Sequence, residues 1–220
     1  MTEEIWFSIR LSLLVASLST VIVTVVGGAV GYALARFKFP GRNLLDALFT
    51  LPLVLPPTVV GFYLLGIFGR GGWLGQLIFQ CTGWSPVFTW QACVIAAVVI
   101  SMPLMSKTSR AAFESVDQTY EQVAYTLSKS RLETLFKVTM PLAWKGLLAG
   151  VALSFARALG EFGATLMLAG NIPGKTQTIP LAIYQATESG ADNLVLLLVL
   201  LLSAFSLALI LLLNRWGARW

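Results

Sequence analysis

"YEQVAYTLSKSRLETLFKVTMPL", Tyr120 to Leu142, decides how this chain is read. Val116, Tyr120, Val123 and Leu127 recur on one helical face, and beyond "SKSR" the residues Leu132, Leu135, Phe136 and Met140 do the same. Charged residues interrupt the stretch too often for a membrane span. Two short amphipathic helices joined by a tight turn fit the pattern, which raises the question of what such a hairpin serves between two apolar regions.

Those regions belong in a bilayer. Hydrophobic residues make up 57% of the chain and charged ones 11%, with a mean hydropathy of +0.80, outside the range of ordinary soluble domains. Uncharged runs of about 18 or more residues are expected to cross the membrane as helices, because lipid offers the backbone no hydrogen-bond partner. Residues 11–35, 47–69, 88–106 and 193–214 meet that test, and 146–170 matches them in length while carrying Arg157 and Glu161. The expected fold is an all-α integral membrane protein with five transmembrane helices, a single domain over residues 1–220. Glu3 and Glu4 stand where a signal peptide carries its basic region, so the first span is expected to remain.

Basic residues set the orientation, since short cytoplasmic loops collect Lys and Arg. Arg36, Lys38, Arg42, Lys107, Arg110, Lys129, Arg131, Lys137, Lys145, Arg215 and Arg219 fall on one side; Arg10, Arg70 and Lys175 fall on the other. The N-terminus is therefore expected outside and the C-terminus in the cytoplasm. Trp6, Trp73, Trp84 and Trp90 mark the outer interface, and Trp144, Trp216 and Trp220 the inner one. The net charge of +5 is explained by topology and carries no nucleic-acid footprint. In this orientation residues 107–145 form a cytoplasmic connection, long for a compact protein and so expected to be functional. A helix pair on anionic lipid, with Lys129, Arg131 and Lys137 reaching headgroups, and a docking element for a cytoplasmic partner both satisfy the spacing.

"EQVAYTLSKSRLETLFKVTMP", Glu121 to Pro141, resembles the EAA loop of ATP-binding-cassette importer permeases. Glu121, Ala124, Val138, Met140 and Pro141 keep its pattern; Gln122 and Val123 stand where alanine is frequent, and Ser128 where glycine is usual. A turn between helices commonly needs a left-handed residue, which costs a non-glycine of order 1 kcal/mol, so Ser128 leaves the turn's geometry open. "FPGRNLLDALFTLPLVLPPTVVGFYLL", "ARALGEFGATL" and "GNIPGKTQTIPLAIY" look like the permease subunits of molybdate importers, in that order and at similar separations. Sulfate importer permeases share a related "GEFG" segment but are typically longer.

The resemblance implies a permease of the bacterial cytoplasmic (inner) membrane that carries molybdate, or its near-isostere tungstate, as a homodimer working by alternating access. Residues 107–145 become the coupling loop, with Glu121, Val123, Ala124, Leu127, Ser128 and Pro141 as coupling residues. Implied partners are cytoplasmic ATPase subunits that hold ATP and magnesium, a second copy of the chain, an extracytoplasmic molybdate-binding protein and the oxyanion in transit. No cofactor is expected on this chain itself.

"GNIPGKT", Gly170 to Thr176, imitates a phosphate-binding loop, which requires G-x-x-x-x-G-K-[ST] after a strand and opening a helix. Here the spacing is one residue short, Pro173 interrupts it, and the topology puts it outside the cell. ATP hydrolysis is accordingly expected on another subunit.

Two intramembrane features are candidates for the pathway or its gate. Pro52, Pro56 and Pro57 fall roughly 9 to 16 Å past Asp46 at about 1.5 Å per residue. They remove backbone donors and kink the helix, either for packing or as a broken segment beside a pathway. Arg157 and Glu161, four apart, share a helical face. Charges in a membrane face protein or water, so the pair either braces a helix interface or lines the route of a dianion. Gly160 and Gly163 beside it permit close helix approach.

Other classes are weaker. A secondary transporter should show internal repeats and titratable groups at the midplane; no convincing repeat is present. An enzyme lacks its usual means, since the chain has no histidine and no paired cytoplasmic carboxylates. Cys81 and Cys93 lack metal-site spacing and read as packing residues.

Overall fold

The computed structural model describes residues 2–217, and among them every regular element is helical. Helix α1 (Thr2–Arg36) begins ahead of the expected span, with Glu3 and Glu4 in its first turn and Arg36 in its last, as the helix dipole favours. It lies along α5 (Trp90–Glu114), whose Ala92, Cys93, Ala96, Ala97, Ile100 and Ser101 are buried at the centre of the molecule. α8 (Met140–Leu159) packs against both α5 and α1.

Small residues set these distances. A Cβ at Gly31 would lie 2.0 Å from Ser109 Oγ, 2.8 Å from the Arg110 nitrogen and 2.9 Å from the Ser106 oxygen. Gly27 also faces α5, its carbonyl accepting from Ser109 Oγ at 3.2 Å. Interhelical contact of this kind replaces the hydrophobic drive that lipid does not supply. Two of the three atoms around Gly31 are backbone and cannot step aside. Gly31→Ala is therefore expected to cost about 1–3 kcal/mol, the usual range for overpacking, read as a lower thermal midpoint of the detergent-purified protein. An unchanged midpoint would mean that α1 and α5 can separate without loss.

Two of the expected spans contain breaks, the first of them at the prolines expected to kink it. The segment 47–69 is not one helix: α2 (Arg42–Val54) and α3 (Pro57–Phe68) meet at a bend of 117°. Leu55 precedes Pro56 and is extended, φ −75° and ψ 144°, because the proline ring disfavours helical geometry in the residue before it. Pro57 then opens α3 in its first turn, where a missing N–H leaves no helical bond unmade. The segment 146–170 also breaks. α8 ends at Leu159, and α9 (Gly163–Ala169) starts after Gly160, Glu161 and Phe162. Here a side chain competes with the helix ladder: Glu161 Oε1 accepts the Ala164 N–H at 2.7 Å.

Beyond these lie α4 (Trp73–Thr82), α6 (Gln118–Thr126), α7 (Arg131–Thr134), α10 (Ile179–Glu188) and α11 (Asp192–Gly217). Glu3–Arg36, Trp90–Glu114 and Arg131–Leu159 are long and apolar enough to cross a membrane, and the α2–α3 pair makes a fourth crossing if taken as one. Trp6, Trp73, Trp84, Trp90 and Trp144 are exposed, as interface anchors require. Arg219 and Trp220 lie outside the described residues, as do the side chains of Arg215 and Trp216. Cys93 is buried with its thiol 3.6 Å from the Thr176 carbonyl oxygen, whereas Cys81 is exposed.

Candidate coupling site and intramembrane charge pair

The hairpin at 117–141 is built from local signals that come one upon another. Asp117 caps α6 by accepting the Thr119 N–H at 2.8 Å. That bond holds its carboxyl below the usual carboxylate range, so the cap persists as pH falls until the lowered value is crossed. At the other end Lys129 N donates to Ala124 O at 3.1 Å and Ser128 N to Tyr125 O at 3.0 Å, the paired bonds of a Schellman turn. Ser128 takes the left-handed position with φ 58°. The serine thus adopts the conformation that a glycine would take there more cheaply. Ser130 immediately caps α7 in a reciprocal box with Glu133.

The second half of the hairpin is not the separate short helix that the spacing predicts. α7 runs through a π-turn, Leu135–Thr139, straight into α8, giving one helical stretch from Arg131 to Leu159. Met140 N bonds to Leu135 O, five residues back. Pro141, exposed in the first turn of α8, has no N–H and crowds the carbonyls before it, which the wider turn accommodates.

The hairpin has two faces. Outward lie Tyr120, Val123, Leu127, Leu132 and Phe136, with Val123 52% and Leu127 70% exposed. Inward lie Ala124 and Glu121. The carboxylate of Glu121 is buried, only 7% of the residue being exposed. Its Oε1 accepts Arg36 Nε at 2.9 Å and the Thr139 hydroxyl at 2.8 Å, while Arg36 Nη2 also donates to Val116 O at 3.0 Å. Sequence reasoning groups Glu121 with the docking residues and counts Arg36 only as a topological charge. The alternation of Glu121 and Ala124 against Val123 and Leu127 is the signal that Glu121 turns away.

A second charged cluster has no signature in the sequence pattern. α2 buries no residue, so packing alone does not hold it. Asp46 does so by pairing with Lys107 at 2.7 Å and Arg110 at 3.0 Å, and Arg110 continues to Glu114 at 2.8 Å.

Deeper in the chain the two broken segments meet. α3 packs on α9 with Gly61 against Ala164 and Met167, and a Cβ at Gly163 would stand 3.1 Å from that of Pro57. Pro52 sits inside α2, Pro56 at the bend, and Pro57, which opens α3, faces Gly163 of α9, so the proline bend and the "GEFG" break meet there. Arg157 Nη1 lies 2.8 Å from Glu161 Oε2. The contact meets ion-pair distance without an aligned hydrogen bond, since Oε2 has none. The partners differ in exposure, 29% for the Arg157 side chain against 1% for Glu161.

The loop that imitates a phosphate site is differently built. Helix α9, not a strand, precedes it, and α10 starts at Ile179, beyond Thr176. Thr176 is fully buried, its hydroxyl accepting Ile172 N at 3.1 Å and facing Gly170 O at 3.3 Å. Gln177 donates to Asn171 at 3.0 Å and Ile179 N to Ser12 Oγ at 2.8 Å, fastening the loop to α1. Among the described residues no group of three or more His, Cys, Asp or Glu is placed to hold a metal ion.

Comparison with protein families matches residues 9–219 to the binding-protein-dependent transport system inner membrane component. The chain belongs to this family. Along its whole length this permease is 42% identical to the molybdenum transport system permease protein ModB of Escherichia coli (strain K12), covering 96% of that protein. It is 36% identical over 91% of its length to the sulfate transport system permease protein CysW of Synechococcus elongatus, covering 70% of that one. Among solved structures, the MetNI methionine ABC transporter in inward-facing conformations superimposes with a TM-score of 0.73 over 99% of this chain and 94% of that one, at 15% identity. That likeness shows a shared fold.

Proposed function

We propose that this permease carries molybdate, or tungstate, through the bacterial inner membrane as the translocation subunit of an ATP-driven importer. The observation that carries the reading is the end-to-end identity with the Escherichia coli molybdenum permease. In this reading the chain crosses the membrane five times, α11 included, with its N-terminus outside and its C-terminus in the cytoplasm. Two copies enclose the pathway between them, since one protomer offers too few helices to surround a route. Two cytoplasmic ATPase subunits seat on the apolar outer face of the hairpin, where Val123, Leu127, Leu132 and Phe136 lie exposed beside the exposed Pro141. An extracytoplasmic binding protein delivers the anion. Closure of the ATPase on ATP moves the hairpins and turns the pathway from one side to the other.

Within the membrane, α3 meets the start of α9 where Pro57 faces Gly163, and α8 ends two residues after Arg157; two broken helices in contact near a charge pair suit a gate. Arg157 favours a dianion, and Glu161 reduces its hold so that the anion leaves.

Substrate class is tested in proteoliposomes holding the permease with its own ATPase and binding protein. Uptake of labelled molybdate should be about halved by equimolar tungstate, as an equal competitor requires, and little affected by tenfold sulfate. Sulfate uptake resistant to molybdate would overturn the assignment and favour the sulfate reading, to which the CysW similarity points.

A further inference from the structure

The π-turn poses a mechanical difficulty for any hairpin that pushes on a span. It lies between the exposed residues Leu127 and Leu132 and the long helix α8, and widened turns of this kind are where helices yield. Part of a displacement of α7 can be taken up in it before reaching α8. The structure carries a second connection that avoids the turn. Glu121, on the inner face of α6, bonds to Thr139, the last residue of the π-turn. Helix α6, the Schellman turn, α7 and the π-turn thus form a ring closed by one hydrogen bond. The same carboxylate oxygen holds Arg36, the last residue of α1.

We propose that Arg36, Glu121 and Thr139 are a transmission knot, a set of positioning residues that makes the docking helix α6 move as one body with the cytoplasmic ends of α1 and α8. Three observations carry it. All three groups are buried, Thr139 completely and the paired side chains of Arg36 and Glu121 to all but 7% and 9%. Water does not compete for these bonds, and the Glu121 carboxylate, released from them, would stand buried without a partner. The three come from separate elements and converge on one oxygen atom, so none can shift without the others. Finally, Glu121 faces away from the exposed apolar residues of α6, so its carboxylate is committed inward rather than offered to a partner. By this route a push on α6 enters two membrane helices at once. One of these, α1, is remote in sequence from the hairpin.

The inference rests on the proposed seating of the ATPase, and the test separates the two. Thr139→Val removes the hydroxyl at nearly constant volume, and Thr139→Ser keeps it. On the permease alone, amide exchange of residues 118–126 should quicken by about tenfold in the valine variant, the worth of a hydrogen bond to a charged group. It should stay at the wild-type rate in the serine variant. In proteoliposomes with the ATPase and binding protein, the valine variant should retain the ATPase and hydrolyse ATP, while molybdate carried per ATP falls severalfold and the serine variant restores it. Arg36→Gln should reproduce the valine result. Unchanged transport per ATP in the valine variant, or equal losses in valine and serine, would overturn the knot as a transmitter. If the wild-type chain itself retains no ATPase, the docking reading falls and transmission with it. Amide exchange in α6 then still decides whether the knot fastens the helix.

Discussion

Leu127→Asp is expected to abolish retention of the ATPase subunits by this permease while leaving the chain inserted and folded. The side chain lies at the C-cap of α6, 70% exposed, with Val123 one turn back on the same face. An apolar side chain left in water gains by being covered. Burying a leucine is worth about 1.5–3 kcal/mol, or roughly ten- to a hundredfold in affinity. Aspartate adds to that loss the desolvation of a carboxylate with no cation opposite it. The Schellman turn uses only the backbone at this position, so the substitution spares the hairpin's own bonds. Co-purification should show the ATPase with wild type and none with the variant, both permeases eluting alike in size-exclusion chromatography. Equal recovery would return the hairpin to the lipid-surface reading. Val123→Asp should act in the same direction by a smaller factor, because less of it is exposed.

The hairpin was largely legible because its signals are local. Apolar spacing marked α6, and the left-handed residue expected between the helices proved to be Ser128. The fusion of α7 with α8 was not legible, since a π-turn keeps apolar residues near helical spacing while changing the ring that closes them. Arg36 escaped for another reason: its role depends on a residue 85 positions away, and no periodicity reports such a pairing. Hydropathy found the apolar segments at 47–69 and 146–170, and the prolines of the first announced a kink or a break, whereas the second reads as continuous. A window that averages over about 19 residues does not see that Pro56 and Pro57 end one helix and begin another. Nor does it see that Glu161 accepts the Ala164 amide at the start of α9 instead of extending α8. The meeting of these two breaks through Gly61, Gly163 and Pro57 is a tertiary fact, and only the glycines hinted at close approach.

The charge pair yields the second large effect, and its two readings can be separated. Arg157→Ala should lower the stability of the purified permease by about 3–5 kcal/mol, the cost of leaving a buried charge without its partner. Glu161 is almost wholly enclosed, and the Ala164 N–H is its one aligned hydrogen bond. Replacing both, Arg157→Leu with Glu161→Leu, should recover much of that loss, because a buried pair exchanged for packed apolar groups is often neutral. The recovery should be incomplete, since α9 loses the carboxylate that accepts its Ala164 amide. Uptake, normalised to folded protein, then becomes informative. The Arg157 side chain keeps 29% of its surface open, and among the five expected spans only that at 146–170 carries a basic residue. If that open edge meets the anion, the folded double variant should transport at less than about a tenth of the wild-type rate, a tenfold loss matching about 1.4 kcal/mol in the barrier. Wild-type uptake by the double variant would assign the pair to bracing the α8–α9 break alone.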